Sequence, residues 1–124
     1  MDVIHSAIWV SDLEEAREFF VDGLGLEENW SFTLDGIENV YVGGEHGEIQ
    51  LRYSPDHEVP ETDRESFDHI AVSVDDTDAE TERMVEETGC TVVAGPKTAD
   101  AANARISFIE GPDGYVVELV EDLS

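Results

Sequence analysis

The sequence predicts an α+β fold built from two βαβββ modules, the second a repeat of the first. Three observations carry that prediction. Each half alternates apolar, strand-like runs with one amphipathic helical stretch. His5, Ala7, Val10, Asp12 and Gly25 recur 64 positions later as His69, Ala71, Val74, Asp76 and Gly89. Each half also places a histidine in its first apolar strand and a polar residue in its last, His5 with Gln50 and His69 with Glu118. At 124 residues the chain is expected to be one domain, 1–124, with modules at about 1–53 and 67–124 and a linker at 54–66.

The elements follow in order. Residues 3–10 read as the first strand. Asp12 is placed to cap a helix, with Glu14 and Glu15 in the first turn favouring the positive helix end. Leu13, Ala16, Phe20 and Leu24 form an apolar stripe at helical spacing, with Phe19 beside it; Gly23 and Gly25 end the helix. Strands are predicted near 28–34, 38–42 and 48–53, separated by turns at Asp35-Gly36 and Gly43-Gly44. The stretch from Ser54 to Ser66 contains Pro55, Pro60 and five acids without periodicity, which marks it as a linker. The pattern then restarts: a strand near 67–74, a helix over 76–87, and strands near 91–94, 104–110 and 115–120. Gly111-Pro112-Asp113-Gly114 is a strong hairpin turn between the last two.

Strand parity separates two faces, because alternate side chains point to opposite sides of a sheet. Ile4, Ile8 and Val10 oppose His5, Ala7 and Trp9, and Ile70, Val72 and Val74 oppose His69, Ala71 and Ser73. Ile49 and Leu51 oppose Gln50 and Arg52; Val117 and Leu119 oppose Val116, Glu118 and Val120. The apolar face is expected to pack on the helices. His5, Gln50, His69 and Glu118 then fall together on the opposite, concave face.

Charge sets limits on function. The net charge is −25, from 31 acidic residues against 6 basic ones, so neither nucleic acid nor an anionic membrane is an expected partner. A solvated surface tuned to high salt, a docking face for a basic partner and a cation sink all fit such acidity. The acids are spread along the chain rather than blocked into a tail, which favours the first and points to a salt-loaded cytoplasm, such as that of a halophile. Cys90 is the only cysteine, so no internal disulfide forms. No apolar run approaches a membrane span, and Met1 leads straight into a strand without a signal-like region. A cytoplasmic location is expected.

A polar group in a core-facing strand is costly without a partner. One strand histidine is most often a satisfied core residue, but two histidines, a carboxylate and a carboxamide on one concavity point to a shared divalent metal. Imidazole and carboxylate donors suit Zn, Ni, Co, Mn or Fe(II). Without a thiolate, a closed structural zinc site is disfavoured.

At these residues the sequence resembles the vicinal oxygen chelate superfamily, which includes glyoxalase I, methylmalonyl-CoA epimerase, extradiol dioxygenases and bleomycin-resistance proteins. The resemblance spans essentially the whole chain. Its most specific part is Phe108-Ile109-Glu110-Gly111-Pro112-Asp113-Gly114-Tyr115-Val116-Val117-Glu118-Leu119-Val120, which looks like the terminal hairpin of bacterial-type glyoxalase I. The resemblance implies paired modules curled into a cup-shaped mixed sheet with helices outside, closed within one chain or across a homodimer. It also implies metal ligands at His5, Gln50, His69 and Glu118. The implied chemistry is lyase or isomerase: a base removes the C1 proton from a hemithioacetal of a thiol and a 2-oxoaldehyde, a metal-held enediolate forms, and reprotonation at C2 gives a thioester.

The usual bacterial glyoxalase I has glutamate where this chain has Gln50, and a carboxamide is no general base at neutral pH. Glu118 is therefore the candidate base. The His-Gln-His-Glu set is that of methylmalonyl-CoA epimerase, the first rival, although the epimerases' paired His-His and His-Pro-Lys segments are missing. A second rival keeps His5, His69 and Glu118 as a facial triad for Fe(II) and oxygen. That reading needs a further acid–base histidine, and His46 and His57 both lie in acidic loop segments. A third is a non-enzymatic ligand-binding or resistance protein. Trp9 shares the face of His5 and is either an apolar wall for substrate or core filling. Arg52 shares the face of Gln50 and is a candidate anchor for a substrate carboxylate or thiol carrier; pairing with a surface acid is the alternative. Lys97 is expected in a loop, 95–102, where it either covers the cup or simply keeps the loop soluble.

Overall fold

The computed structural model describes residues 1–124. The chain is α+β and divides into two compact units, Met1–Pro60 and Glu61–Ser124, each with its own four-stranded mixed sheet.

The first unit runs β1 (His5–Trp9), α1 (Leu13–Arg17), β2 (Glu27–Leu34), β3 (Ile37–Gly43) and β4 (Glu48–Tyr53). The sheet order is β1-β4-β3-β2, with β1 parallel to β4 and the other pairs antiparallel. Asp12 caps α1, its carboxylate accepting from the Glu15 amide at 3.0 Å. The helix then widens into a π-helical stretch, Glu18–Gly23. A π turn takes up an extra residue, which lets both Phe19 and Phe20 point inward, edge to face with ring centroids 5.1 Å apart. They meet the apolar face of the sheet, where Ile8, Val10, Val40, Val42, Ile49 and Leu51 are buried. Asp35 and Gly36 both adopt positive φ, 54° and 78°, as a mirror-image hairpin turn requires. One residue departs from the predicted face: Ile4 is 69% exposed, because β1 begins only at His5.

The second unit runs β5 (Ile70–Ser73), α2 (Thr77–Thr88), β6 (Thr91–Ala99), β7 (Ala104–Glu110) and β8 (Val116–Asp122). Its order, β5-β8-β7-β6, repeats the topology of the first, with β5 parallel to β8. Asp76 caps α2 by accepting from the Ala79 amide, and Gly89 ends it at φ 71°. Val117, Leu119 and Ile109 pack under α2 with Met84. A buried hydroxyl relay joins them: the Thr81 hydroxyl meets the Ser107 hydroxyl and the Thr77 carbonyl at 2.6 Å, and the Thr77 hydroxyl donates to the Arg105 carbonyl at 2.7 Å. Sequence reading places a loop at 95–102, but β6 continues to Ala99 and Lys97 pairs with Ile106. Two register shifts absorb the residues that the ladder cannot pair, one at Val93 between Val92 and Ala94 and one at Gly95-Pro96 between Ala94 and Lys97. No helix is long and apolar enough to cross a membrane.

Candidate functional site

Each unit builds the same half-site from the same sheet geometry. In the first, Ala7 on β1 pairs with Gln50 on the parallel strand β4, and His5 lies two residues before Ala7. In the second, Ala71 on β5 pairs with Glu118 on β8, and His69 lies two residues before Ala71. The histidine and the polar residue are thus diagonal neighbours on one face. An aromatic side chain completes each half. Tyr41 pairs in register with Gln50 and Phe108 with Glu118. Each ring meets its histidine edge to face with centroids 5.4 Å apart.

In the second unit, His69 Nε2 lies 3.0 Å from Glu118 Oε1, and His69 Nδ1 lies 2.6 Å from Asp68 Oδ2. Arg64 holds Asp68 in turn, donating from its terminal nitrogen to the carboxylate at 2.8 Å and from Nε to the Asp68 carbonyl at 3.0 Å. The hydrogen bond with His69, and then the Arg64 guanidinium, keep the Asp68 carboxyl below the usual carboxylate range. Asp68 and Glu118 thus face the two ring nitrogens from opposite sides and fix the plane of the imidazole.

In the first unit, His5 makes no side-chain hydrogen bond and meets the Tyr41 ring edge to face. Gln50 donates from Nε2 to Asn39 Oδ1 at 2.8 Å, which leaves its own carbonyl oxygen directed elsewhere. Asn39 is 2% exposed, and its amide donates to the Ile37 carbonyl at 3.2 Å, which fixes which way round it sits. Arg52 shares the Asn39 oxygen through Nε at 3.1 Å and lies 4.6 Å above the Trp9 ring. Trp9 also stacks on His57 at 3.8 Å. Trp30, Phe32 and Tyr41 form a continuous aromatic surface on the same face; Trp30 stacks on Tyr41 at 4.0 Å and is half exposed. His46 is almost fully exposed, as its acidic loop suggested.

The donor set fits a divalent cation. Two ligands about 2.1 Å from a metal and at right angles lie roughly 3.0 Å apart, and the His69–Glu118 pair has a 3.0 Å separation. Gln50 offers an oxygen because its nitrogen is committed to Asn39. Nowhere do three or more His, Cys, Asp or Glu side chains gather into one metal-holding group, so each half-site presents two candidate ligands rather than a complete set.

Sequence reasoning singled out His5, Gln50, His69, Glu118, Trp9 and Arg52 but missed Asn39, Tyr41, Phe108, Asp68 and Arg64. Tyr41 and Phe108 were accessible in principle, because a third strand in register places them beside the polar residue. Asn39 and Arg64 carried no signal beyond residue type.

Comparison with known proteins bears on this arrangement. The family model described as the glyoxalase/bleomycin resistance protein/dioxygenase superfamily matches residues 3–119. A lactoylglutathione lyase of Haemophilus influenzae is 32% identical over 136 residues, covering 100% of this chain and 95% of the relative. The trypanothione-dependent glyoxalase I of Leishmania major superposes with a TM-score of 0.85 at 21% identity, over 98% of this chain and 87% of that one. An antibiotic binding protein from Streptomyces sp. CB03234 superposes with a TM-score of 0.74 at 22% identity, over 98% and 96%. The last two establish a shared fold, and that fold serves both an enzyme and a binder.

Proposed function

The chain belongs to the glyoxalase/bleomycin resistance protein/dioxygenase superfamily, and we propose that within it the protein is a divalent-metal-dependent enzyme of the glyoxalase I type. The observation that carries this reading is the His69–Glu118 pair at 3.0 Å, backed by Asp68 on the opposite imidazole nitrogen. A pure binding protein has no need of a carboxylate–histidine–carboxylate chain aimed at one point, whereas a metal site uses such a chain to orient its ligand.

In this reading the two units act as halves of one functional domain, with His5, Gln50, His69 and Glu118 as the metal ligands. A bound divalent ion, Ni, Zn, Co or Mn, would supply Lewis-acid stabilisation of negative charge on substrate oxygens. Asp68 and Arg64 hold His69 in place. Asn39 holds the Gln50 carboxamide with its oxygen outward. Glu118 is the base: its carboxylate takes the proton from C1 of a hemithioacetal and returns it to C2, while the hydroxyl proton passes from the C1 oxygen to the C2 oxygen, giving the thioester with no net gain or loss of atoms.

One observation favours a second reading. Asn39 accepts a hydrogen bond from Gln50, so the position is built for a carboxamide rather than a glutamate, and the resulting ligand set is epimerase-like. The test is elemental analysis of protein purified without added metal, followed by hemithioacetal, methylmalonyl-CoA and catechol assays in molar KCl. Nickel, zinc, cobalt or manganese with hemithioacetal turnover supports the first reading. Turnover of methylmalonyl-CoA alone selects the epimerase, iron with oxygen uptake selects a dioxygenase, and absence of bound metal leaves a binding protein.

A further inference from the structure

Arg52 stands apart from the other arginines. In a chain with 31 acids, Arg17, Arg64, Arg83 and Arg105 all take carboxylate partners, Glu28, Asp68, Glu80 with Glu87, and Asp78 respectively. Arg52 is the fifth, and it forms no ion pair; its one hydrogen bond goes from Nε to the neutral oxygen of Asn39. A guanidinium surrounded by so much negative charge takes a carboxylate unless its position withholds one. Here the position does so. Arg52 lies in sheet register between Trp9 and Asn39, on the face that carries Gln50 and Tyr41 rather than on the acidic surface.

The side chain is also held ready. Asn39 is buried and cannot flip, because its amide is bound to the Ile37 carbonyl. The indole of Trp9, 4.6 Å from the guanidinium carbon, supports its plane and is itself stacked on His57. With Nε committed, the two terminal nitrogens remain as a pair of parallel donors, the arrangement that matches a carboxylate.

We infer that Arg52, fixed by Asn39 and Trp9, is the receptor for a carboxylate carried by the substrate close to its metal-binding oxygens. This rests on the metal reading proposed above and adds the substrate's chemical class. Gln50 and Arg52 are two residues apart on one strand, about 7 Å, and both donate to the same Asn39 oxygen. The ligand is therefore an organic anion whose carboxylate lies only a few bonds from a pair of vicinal oxygens. A localised cation of this kind also explains how so acidic a protein receives an anion, since the surrounding field opposes its approach.

The probes are succinate monohydroxamate, whose hydroxamate offers vicinal oxygens with a carboxylate nearby, and neutral butyrohydroxamate. Titration calorimetry on nickel-loaded protein in molar KCl should show the carboxylate probe binding about ten-fold or more tighter, the effect of one charge-assisted pair. Arg52→Gln should make the two probes equal while leaving nickel affinity unchanged, and Arg52→Lys should restore part of the preference. No preference in the native protein, or a preference that survives Arg52→Gln, overturns the inference. If nickel does not alter butyrohydroxamate binding, the metal reading fails by itself. Plain succinate on the metal-free protein, with and without Arg52→Gln, then decides the receptor.

Two sources of the carboxylate are distinguished by turnover. Methylglyoxal with thioglycolate places it on the thiol, and a carboxylated 2-oxoaldehyde with mercaptoethanol places it on the aldehyde. Arg52→Gln should raise KM about ten-fold for one of these adducts and not for the neutral adduct of methylglyoxal with mercaptoethanol. Equal effects on all three, or none, contradict the inference.

Discussion

The two half-sites share a geometry and divide a chemistry. Both place a histidine diagonally across a parallel strand pair from a polar residue, with an aromatic edge 5.4 Å from the imidazole. In the second unit the histidine is gripped at both nitrogens by carboxylates, one of them held by Arg64. In the first, His5 makes no side-chain hydrogen bond and meets the Tyr41 ring, and the ordering falls on Gln50 through the neutral Asn39. In the function proposed above, duplication yields one half that moves a proton and one half that only coordinates and orients. The difference lies in what stands behind each ligand as much as in the ligand itself.

The largest effect should come from erasing that asymmetry. Glu118→Gln leaves an oxygen donor but removes the proposed base, and kcat should fall by about 10²–10⁴-fold while bound metal is largely retained. Metal loss of the same size would mean that Glu118 serves as a ligand only. The reciprocal change, Gln50→Glu, should alter kcat by no more than a few-fold. The new carboxylate cannot donate to Asn39, and it lies beside the Arg52 guanidinium, which would take it as an ion-pair partner. A ten-fold rise would show that the first half can also carry the proton.

The cores differ in the same sense, and stability separates them. Phe20 is fully buried against an all-apolar sheet face in the first unit, so Phe20→Ala should cost about 3–5 kcal/mol in chemical denaturation. The second unit carries the Thr77, Thr81 and Ser107 relay instead. Ser107→Ala should cost only about 1–2 kcal/mol, because Thr81 keeps its bond to the Thr77 carbonyl.

Comparable in size is the contribution of the residue behind His69. Asp68→Asn keeps the shape but weakens the acceptor at Nδ1, and metal affinity should drop about 10–100-fold by competition with a chelator. Unchanged affinity would assign Asp68 to Arg64 and the surface alone.

Much of this was legible in the residues and some was not. Strand parity placed His5, Gln50, His69 and Glu118 on the faces that the sheets give them, because alternation needs no tertiary information. The caps at Asp12 and Asp76 and the turn at Asp35-Gly36 were equally local. The π-helical stretch was not, since a wide turn is chosen by the packing of Phe19 and Phe20 together. The extension of β6 through Lys97 was hidden because Gly95-Pro96 normally signals a loop, and only a partner strand with bulges can absorb it. Asn39 acts through contacts distant in sequence, 11 residues from Gln50 and 13 from Arg52, which no single-strand pattern reveals, whereas Arg64 reaches Asp68 only four residues on but from an irregular stretch that has no periodicity to read.

The smallest expected effect tests whether the surface charge of the second unit is arranged or merely abundant. Arg105 binds Asp78 through two nitrogens, and this hydrogen bonding keeps the Asp78 carboxyl below its ordinary value. A carboxyl depressed in the folded state contributes stability above its unfolded value, near pH 4. That contribution is lost as pH falls through the lower folded value. Asp78→Asn should therefore lower Tm slightly at neutral pH, and the deficit should be constant down to about pH 4 and shrink below it. Molar salt should reduce the deficit without abolishing it, because the pair is exposed but has two-point geometry. A deficit independent of pH would mean that Asp78 acts through its place in the first turn of α2 and not through Arg105.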